Sequence, residues 1–145
     1  MNKTLKNQKE YDQLSTYTQS HKSPSFIHQH IVDAFYAQTA NEETKNISLI
    51  FSLVGLYLYI EKNYTGLAIQ KAHMNLAKAR KNWPKLDLPN FRGKITGKDI
   101  SLAKTIEEYN KLVNKWAIEV YKTWEKYHKL ISNISRDFIK KENLL

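Results

Sequence analysis

Residues 47–60 read ISLIFSLVGLYLYI, fourteen consecutive positions without a charged side chain, and Glu61-Lys62 closes the run. A helix that is apolar around its whole circumference belongs at the centre of a packed structure. The run is shorter than the roughly 20 apolar residues that cross a bilayer. It therefore predicts a buried central helix over about 43–62, and it predicts no interaction with a membrane.

The segments on both sides of this run have helical periodicity. Upstream, Ser23-Pro24 is a typical helix start, and residues 26–38, FIHQHIVDAFYAQ, carry apolar side chains at helical spacing. Downstream, Thr65 is placed to cap a helix that ends near residue 82. Residues 96–99, TGKD, have the spacing of a capping box and predict a short helical turn.

The last third of the chain carries an apolar side chain at every third or fourth position. This periodicity predicts a long final helix over about 104–130, with a break near 131–135 where serine and asparagine interrupt the pattern. The apolar positions are Ile106, Tyr109, Val113, Trp116, Val120, Trp124, Tyr127, Ile131, Ile134 and Phe138.

Together these elements predict an all-α, single-domain helical bundle of four to six helices, with a buried central helix and a long C-terminal helix. We expect residues 1–22 to form a polar N-terminal segment with a short helix, and residues 23–145 to form the bundle. The chain has no cysteine, which excludes disulfides and thiolate metal sites. Its first residues lack the apolar core of a secretory signal, and we expect a cytoplasmic protein.

The net charge of +9 is unevenly distributed along the chain. Residues 62–96 contain eight lysines and arginines against Asp87 alone, a balance of +7. A basic cluster of this kind is one feature of proteins that bind nucleic acid. However, only three of the 23 basic residues are arginine, the residue best suited to phosphate and guanine. The composition therefore favours a solvated surface over a nucleic-acid site.

The densest group of polar side chains lies in one predicted helix and consists of His28, His30, Asp33 and Gln38. His30 and Asp33 are three residues apart and are neighbours on one helical face. Asp33 is the one acidic residue in the apolar helical pattern of residues 26–38. We therefore expect its carboxylate to be buried, with a tyrosine, histidine or lysine as its partner. Its simplest role is a polar contact between helices.

Three histidines on different predicted helices raise the question of a metal site. His28, His73 and His128 each lie at the edge of an apolar stripe, about 80° from its centre by helical phase. Facing helices of a bundle could bring them together around zinc or another divalent ion, with open positions for water. The alternative is three unrelated boundary histidines, each with its own hydrogen-bond partner. No cofactor motif and no GxSxG, P-loop, GxGxxG or HExxH spacing occurs.

Five strings together resemble a family of small bacterial proteins of unknown function, with motifs like VDAYxxQ, LxGLYLxxE and a tryptophan-rich final helix. They are residues 28–38 HQHIVDAFYAQ, 47–66 ISLIFSLVGLYLYIEKNYTG, 70–89 QKAHMNLAKARKNWPKLDLP, 92–100 RGKITGKDI and 115–128 KWAIEVYKTWEKYH. The resemblance implies a discrete single-domain fold and transfers no catalytic residue. The residues of interest within the matching strings are His28, Asp33, Gln38, Glu61, His73, Trp83, Trp116 and Trp124.

These observations favour a binding or interaction module that recognises a protein or small-molecule partner without a cofactor. A homodimer is compatible with the apolar final helix. The alternative is a metal-dependent bundle enzyme that uses the His28, His73 and His128 triad. A third interpretation is nucleic-acid binding through residues 62–96.

Overall fold

The computed structural model describes residues 27–79 and 82–142, which form helices and connecting segments without a strand. The helices are α1 (Ile27–Thr39), α2 (Asn46–Lys62), α3 (Gly66–Ala79), α4 (Gly97–Ser101), α5 (Ile106–Thr123) and α6 (His128–Glu142), with a 3₁₀ turn at Glu125–Tyr127. The predicted all-α single-domain bundle is confirmed. The predicted N-terminal segment 1–22, with its short helix, lies outside the described residues, and so do the basic residues at 80 and 81.

Helix α2 occupies the centre of the bundle, as its uncharged sequence predicts. Its residues from Ser52 to Leu58 are buried without interruption, and it contacts α1, α3, α5 and α6. Burial of a complete turn on every side is what an apolar run of this length requires. No helix among the described residues is long and apolar enough to cross a membrane.

Threonine side chains cap the first turns of α3, α4 and α5. The Thr65 hydroxyl accepts a hydrogen bond from the Ala68 backbone N–H at 3.2 Å, at the predicted start of α3. At the predicted capping box of α4, the Thr96 backbone N–H donates to Asp99 Oδ2 at 2.9 Å. Thr105 caps α5 in the same way as Thr65 caps α3, by accepting from the Glu108 N–H at 3.0 Å.

The predicted break in the final helix is at the wrong place. The chain leaves helical geometry at Trp124 (φ −102°, ψ 20°), and not near 131–135. The Trp124 indole N–H donates to the Ala37 carbonyl at 3.1 Å, which anchors this turn on α1. Ser135 does not break α6 because its hydroxyl donates to the Ile131 carbonyl at 2.8 Å, within the helix.

Candidate functional site

A cleft of about 1040 Å³ lies beside the C-terminal half of α1. It is enclosed by that helix, by the turn between α1 and α2, and by residues 82–96, which we call the connecting segment because they join α3 to α4. The residues that give the cleft its polar character are Tyr36, Gln38, Glu42, Lys85, Asp87 and Arg92.

Gln38 and Arg92 hold the connecting segment against α1 through a reciprocal set of hydrogen bonds, which we call the Gln38–Arg92 clamp. Gln38 Nε2 donates to the carbonyls of Arg92 at 3.0 Å and Ile95 at 2.7 Å. Arg92 Nη1 donates to the Gln38 carbonyl at 3.0 Å, and Arg92 Nε donates to the Pro89 carbonyl at 2.7 Å. Gln38 Oε1 accepts from the Trp116 indole N–H at 3.1 Å, so the clamp also reaches α5.

Glu119 of α5 provides a second anchor for the connecting segment. Its Oε1 accepts hydrogen bonds from the backbone N–H groups of Lys94 and of Ile95, the latter at 2.7 Å. Gly93 has a positive φ of 95°, and a Cβ there would lie 2.6 Å from Glu119 Oε1. Glycine is therefore the residue that allows this close approach. The wall of the cleft is fixed from two helices.

Arg92 places a positive charge on this wall, and no described carboxylate forms an ion pair with it. The ion pairs formed among the described residues are Lys85–Glu42 at 4.0 Å and Lys126–Asp87 at 3.0 Å, and neither includes Arg92. Partial burial lowers the pKa of Arg92, but a guanidinium stays charged in proteins at neutral pH. Its acidic neighbours in the cleft, Glu42 and Asp87, already face lysines.

A second polar cluster, formed by Gln29, His30 and Asp33, is buried between α1 and α2. Asp33 is 2% exposed, and its Oδ1 accepts from Gln29 Nε2 at 3.0 Å, so its partner is not the predicted tyrosine, histidine or lysine. Asp33 Oδ2 has no hydrogen-bond partner among the described residues. Burial raises the pKa of Asp33 well above its ordinary value, and the Gln29 hydrogen bond offsets only part of this effect.

The same cluster packs closely on α2. A Cβ on Gly55 would lie 1.9 Å from Asp33 Oδ2, so the carboxyl group rests directly on the α2 backbone. The His30 ring stacks on Tyr59 with centroids 3.6 Å apart, and burial lowers the pKa of His30 to about 4. His30 Nδ1 has no hydrogen-bond partner within the described part of the chain. Tyr59 in turn accepts a hydrogen bond from Asn114 of α5 at 3.0 Å.

The three histidines of the alternative metal triad have separate surroundings. His73 Nε2 lies 2.8 Å from the Phe51 carbonyl, and His128 Nε2 lies 2.7 Å from the Tyr121 carbonyl. His28 is half-buried on α1. Over residues 27–79 and 82–142, no group of three or more histidine or acidic side chains is arranged to hold a metal ion. The geometry therefore gives the metal-dependent alternative no support.

Other residues from the strings with family resemblance make contacts between helices. Glu61 Oε2 accepts from the Tyr121 hydroxyl at 2.5 Å, which joins α2 to α5. Burial raises the pKa of Tyr121, and the neighbouring carboxylate raises it further. Trp116 and Trp124 join α5 to α1 through the indole hydrogen bonds described above. These contacts give Glu61, Trp116 and Trp124 a structural role in holding the helices together.

Comparison with known proteins places the chain in a family. A family of unknown function, DUF5946, matches residues 8–125. The chain belongs to DUF5946. Comparisons with curated proteins and with solved structures found no match. The DUF5946 match extends over α1 to α5, and it therefore includes both the cleft and the buried polar cluster.

The sequence indicates Gln38 as a candidate, but not its partner Arg92 or Glu119, which anchors the connecting segment. In the sequence, Arg92 stands out only as one of the basic residues of 62–96. Two features of the sequence could have identified Arg92 as a site residue. It is one of three arginines in the chain, and it stands immediately before a glycine in a proline-containing segment. Glu119 offers no local signal, because its position on α5 is an ordinary amphipathic one.

Proposed function

We propose that this DUF5946 protein binds a small organic ligand with an anionic group in the cleft beside α1. Arg92 is the residue that anchors the ligand. The observation that carries the proposal is a guanidinium that is held in place by two carbonyls, lines the cleft and faces no carboxylate partner among the described residues. These two bonds use two of the five N–H groups of the guanidinium, and the remaining three can donate to a carboxylate or a phosphate.

The size and lining of the cleft support a small-molecule ligand. Its volume of about 1040 Å³ is just above the range of about 300–1,000 Å³ for small-molecule sites, so the cleft has room for such a ligand. Tyr36 lies on the wall with 41% of its surface exposed and offers an aromatic surface for the uncharged part of a ligand. Leu86 and Leu88 of the connecting segment are apolar residues of the lining.

The arrangement supports binding more than catalysis. The described residues that line the cleft include no histidine, and the acids Glu42 and Asp87 face lysines instead of a potential nucleophile. The buried His30 and Asp33 do not line the cleft. The chain has no cysteine, which is compatible with the reducing cytoplasm, where we propose that the protein acts.

Arg92→Lys tests the proposal, because it keeps the charge and removes the planar pair of donors. We would screen carboxylates, phosphates and their neutral amide or alcohol analogues by thermal shift, and measure the affinity of the best ligands by calorimetry. The anionic ligands should bind at least about tenfold more weakly to Arg92→Lys, the cost of one charge-assisted hydrogen bond. Arg136→Lys, at an exposed arginine on α6, is the matched control and should leave affinity unchanged.

Circular dichroism of each variant would establish that it folds. Binding of anionic and neutral analogues with equal affinity would overturn the proposal. Ligands that bind the wild type and Arg92→Lys equally well would also overturn it.

A further inference from the structure

The side of α3 that points away from the core carries an alternating pattern of apolar and basic side chains. It consists of Leu67, Lys71, Met74 and Lys78, which we call the α3 outer face. Leu67 is 43% exposed and Met74 is 63% exposed, and both lysines are exposed. The spacing of four, three and four places all four within about 60° around the helix axis. The α3 outer face lies opposite the buried side chains, which are Ile69, Ala72 and Leu76.

The charges of this face are not neutralised within the described structure. Helix α3 contains no acidic side chain, and the ion pairs among the described residues include neither Lys71 nor Lys78. Two large apolar side chains are therefore exposed in line with two unpaired positive charges. The cleft beside α1 does not account for this pattern, because none of the four residues lines it.

We propose that the α3 outer face docks an amphipathic helix of a partner protein, with acidic side chains opposite Lys71 and Lys78. The four-three-four spacing is that of a coiled-coil seam, in which a partner helix places its own side chains between those of the first helix. The partner helix would pack apolar side chains against Leu67 and Met74. Acidic side chains at the intervening positions would supply the complementary charge.

The same geometry argues against the other occupants. A second copy of α3 would bring lysines close to lysines, and like charges at such a seam are repulsive. A helix that lies on a membrane presents a broad apolar face, whereas this seam is about one side chain wide. Duplex DNA would engage the lysines but would leave Leu67 and Met74 without a role. The occupant that uses all four residues is an acidic amphipathic helix.

A designed peptide provides the probe. It would span about three heptads, with leucine and glutamate alternating at its seam positions, and its binding would be followed by fluorescence anisotropy at about physiological ionic strength. We expect a dissociation constant in the micromolar range, since a single short helix buries a small interface. A peptide of the same composition in scrambled order should bind at least about tenfold more weakly.

Charge reversal on the protein makes the test specific. Lys71→Glu combined with Lys78→Glu should weaken binding of the glutamate peptide at least about tenfold. This double variant should instead bind a peptide that carries lysine at those seam positions. Lys111→Glu combined with Lys115→Glu, at exposed positions of α5, changes the net charge equally and should leave both affinities near wild type. Circular dichroism would confirm that each variant is folded.

The proposal would be overturned if the glutamate peptide failed to bind, or bound no better than its scrambled form. It would also be overturned if the reversal at Lys71 and Lys78 had no larger effect than the reversal on α5. If phosphatidylglycerol vesicles or duplex DNA bound in preference to the peptide, and lost binding when Lys71 and Lys78 were changed to glutamate, the face would be assigned to a lipid surface or a nucleic acid. Self-association that depends on Met74 would assign it to a second copy of the chain.

Discussion

The two polar clusters on α1 differ in how completely their hydrogen bonds are satisfied. Around Gln38, both ends of the amide are used and three groups from distant parts of the chain are paired with it. Around Asp33, a carboxyl oxygen and a nitrogen of His30 are buried without partners among the described residues. A satisfied group stabilises one geometry, whereas an unsatisfied buried group costs stability. The first cluster therefore stabilises the fold, and the second is maintained at a cost to it.

The largest expected effect is at the satisfied cluster. Gln38→Leu removes the amide and leaves two carbonyls and the Trp116 indole N–H without their partner. We expect the free energy of unfolding to fall by about 3 kcal/mol, since each abandoned polar group costs about 1–3 kcal/mol when buried and less when water can reach it. Equilibrium unfolding in urea would measure the change.

Gln29→Leu is the matched control on the same helix, because it removes one hydrogen bond instead of three. It should cost clearly less than Gln38→Leu. Equal costs for the two substitutions would show that the clusters do not differ as described.

The next largest effect concerns the packing of the buried cluster. Gly55→Ala would place a methyl group 1.9 Å from the present position of Asp33 Oδ2. Alanine normally stabilises a helix by about 1 kcal/mol relative to glycine, but overpacking of a core costs about 1–3 kcal/mol. We expect a net loss of up to about 2 kcal/mol in the free energy of unfolding.

A double-mutant cycle assigns this loss to the carboxyl group. In an Asp33→Ala background the space is free, and Gly55→Ala should be neutral or stabilising. If Gly55→Ala is equally harmful in both backgrounds, the contact with Asp33 is not the reason for the glycine.

The unsatisfied cluster should also give stability a distinctive dependence on pH. Burial raises the pKa of Asp33 in the folded state, so unfolding releases a proton above the ordinary pKa of 3.8, and stability falls as pH rises toward the folded value. For His30 the folded pKa is about 4 against 6.5, so unfolding takes up a proton between these values and stability rises with pH there. The slope from Asp33 begins near pH 3.8 and opposes the slope from His30, which lies between about pH 4 and pH 6.5.

Asp33→Asn isolates this slope because it keeps the shape of the neutral acid. The difference in free energy of unfolding between Asp33→Asn and wild type should grow as pH rises above the ordinary carboxyl pKa of 3.8, by up to about 1.4 kcal/mol per pH unit, the limit for one proton. Urea unfolding at several pH values would measure it. A difference that stays constant with pH would show that Asp33 is ionised in the folded protein.

The smallest effect is expected at the surface of the cleft. Lys85 and Glu42 form an ion pair at 4.0 Å with side chains that are 76% and 80% exposed. Exposed pairs of this kind contribute little, and Lys85→Ala should change the free energy of unfolding by less than about 0.5 kcal/mol. A loss comparable with that of Gln38→Leu would mean that the ion pair, and not the clamp, holds the connecting segment in place.

The central helix could be predicted from sequence because burial of a fully apolar run is a local property. The caps at Thr65 and Thr96 were predicted for the same reason, since the interacting groups are three residues apart. The break at Trp124 was not predicted, because it depends on a hydrogen bond to Ala37, 87 residues away. The expected break near Ser135 is absent, because the Ser135 hydroxyl donates a hydrogen bond within the helix.

The site was harder to predict than the fold. Helical phase placed His28, His73 and His128 at half-buried positions, as observed. Phase does not fix the position of a residue along the axis of the bundle, so it could not decide whether the three rings meet. Gln38 was recognised as a candidate, but its partners lie 54 to 78 residues away in sequence, beyond the reach of any local pattern.

The Gln38–Arg92 clamp also has a consequence for the order of folding. Helices α1 and α2 are neighbours in sequence, and their packing closes only a short loop. The clamp joins residues 54 positions apart, so its formation carries a larger entropic cost, and we expect it to form after the helices have packed. Contacts that form after the rate-limiting step change the rate of unfolding more than the rate of folding. We therefore expect the clamp to govern how long the connecting segment stays closed to a protease, and cleavage within residues 82–96 would report its opening.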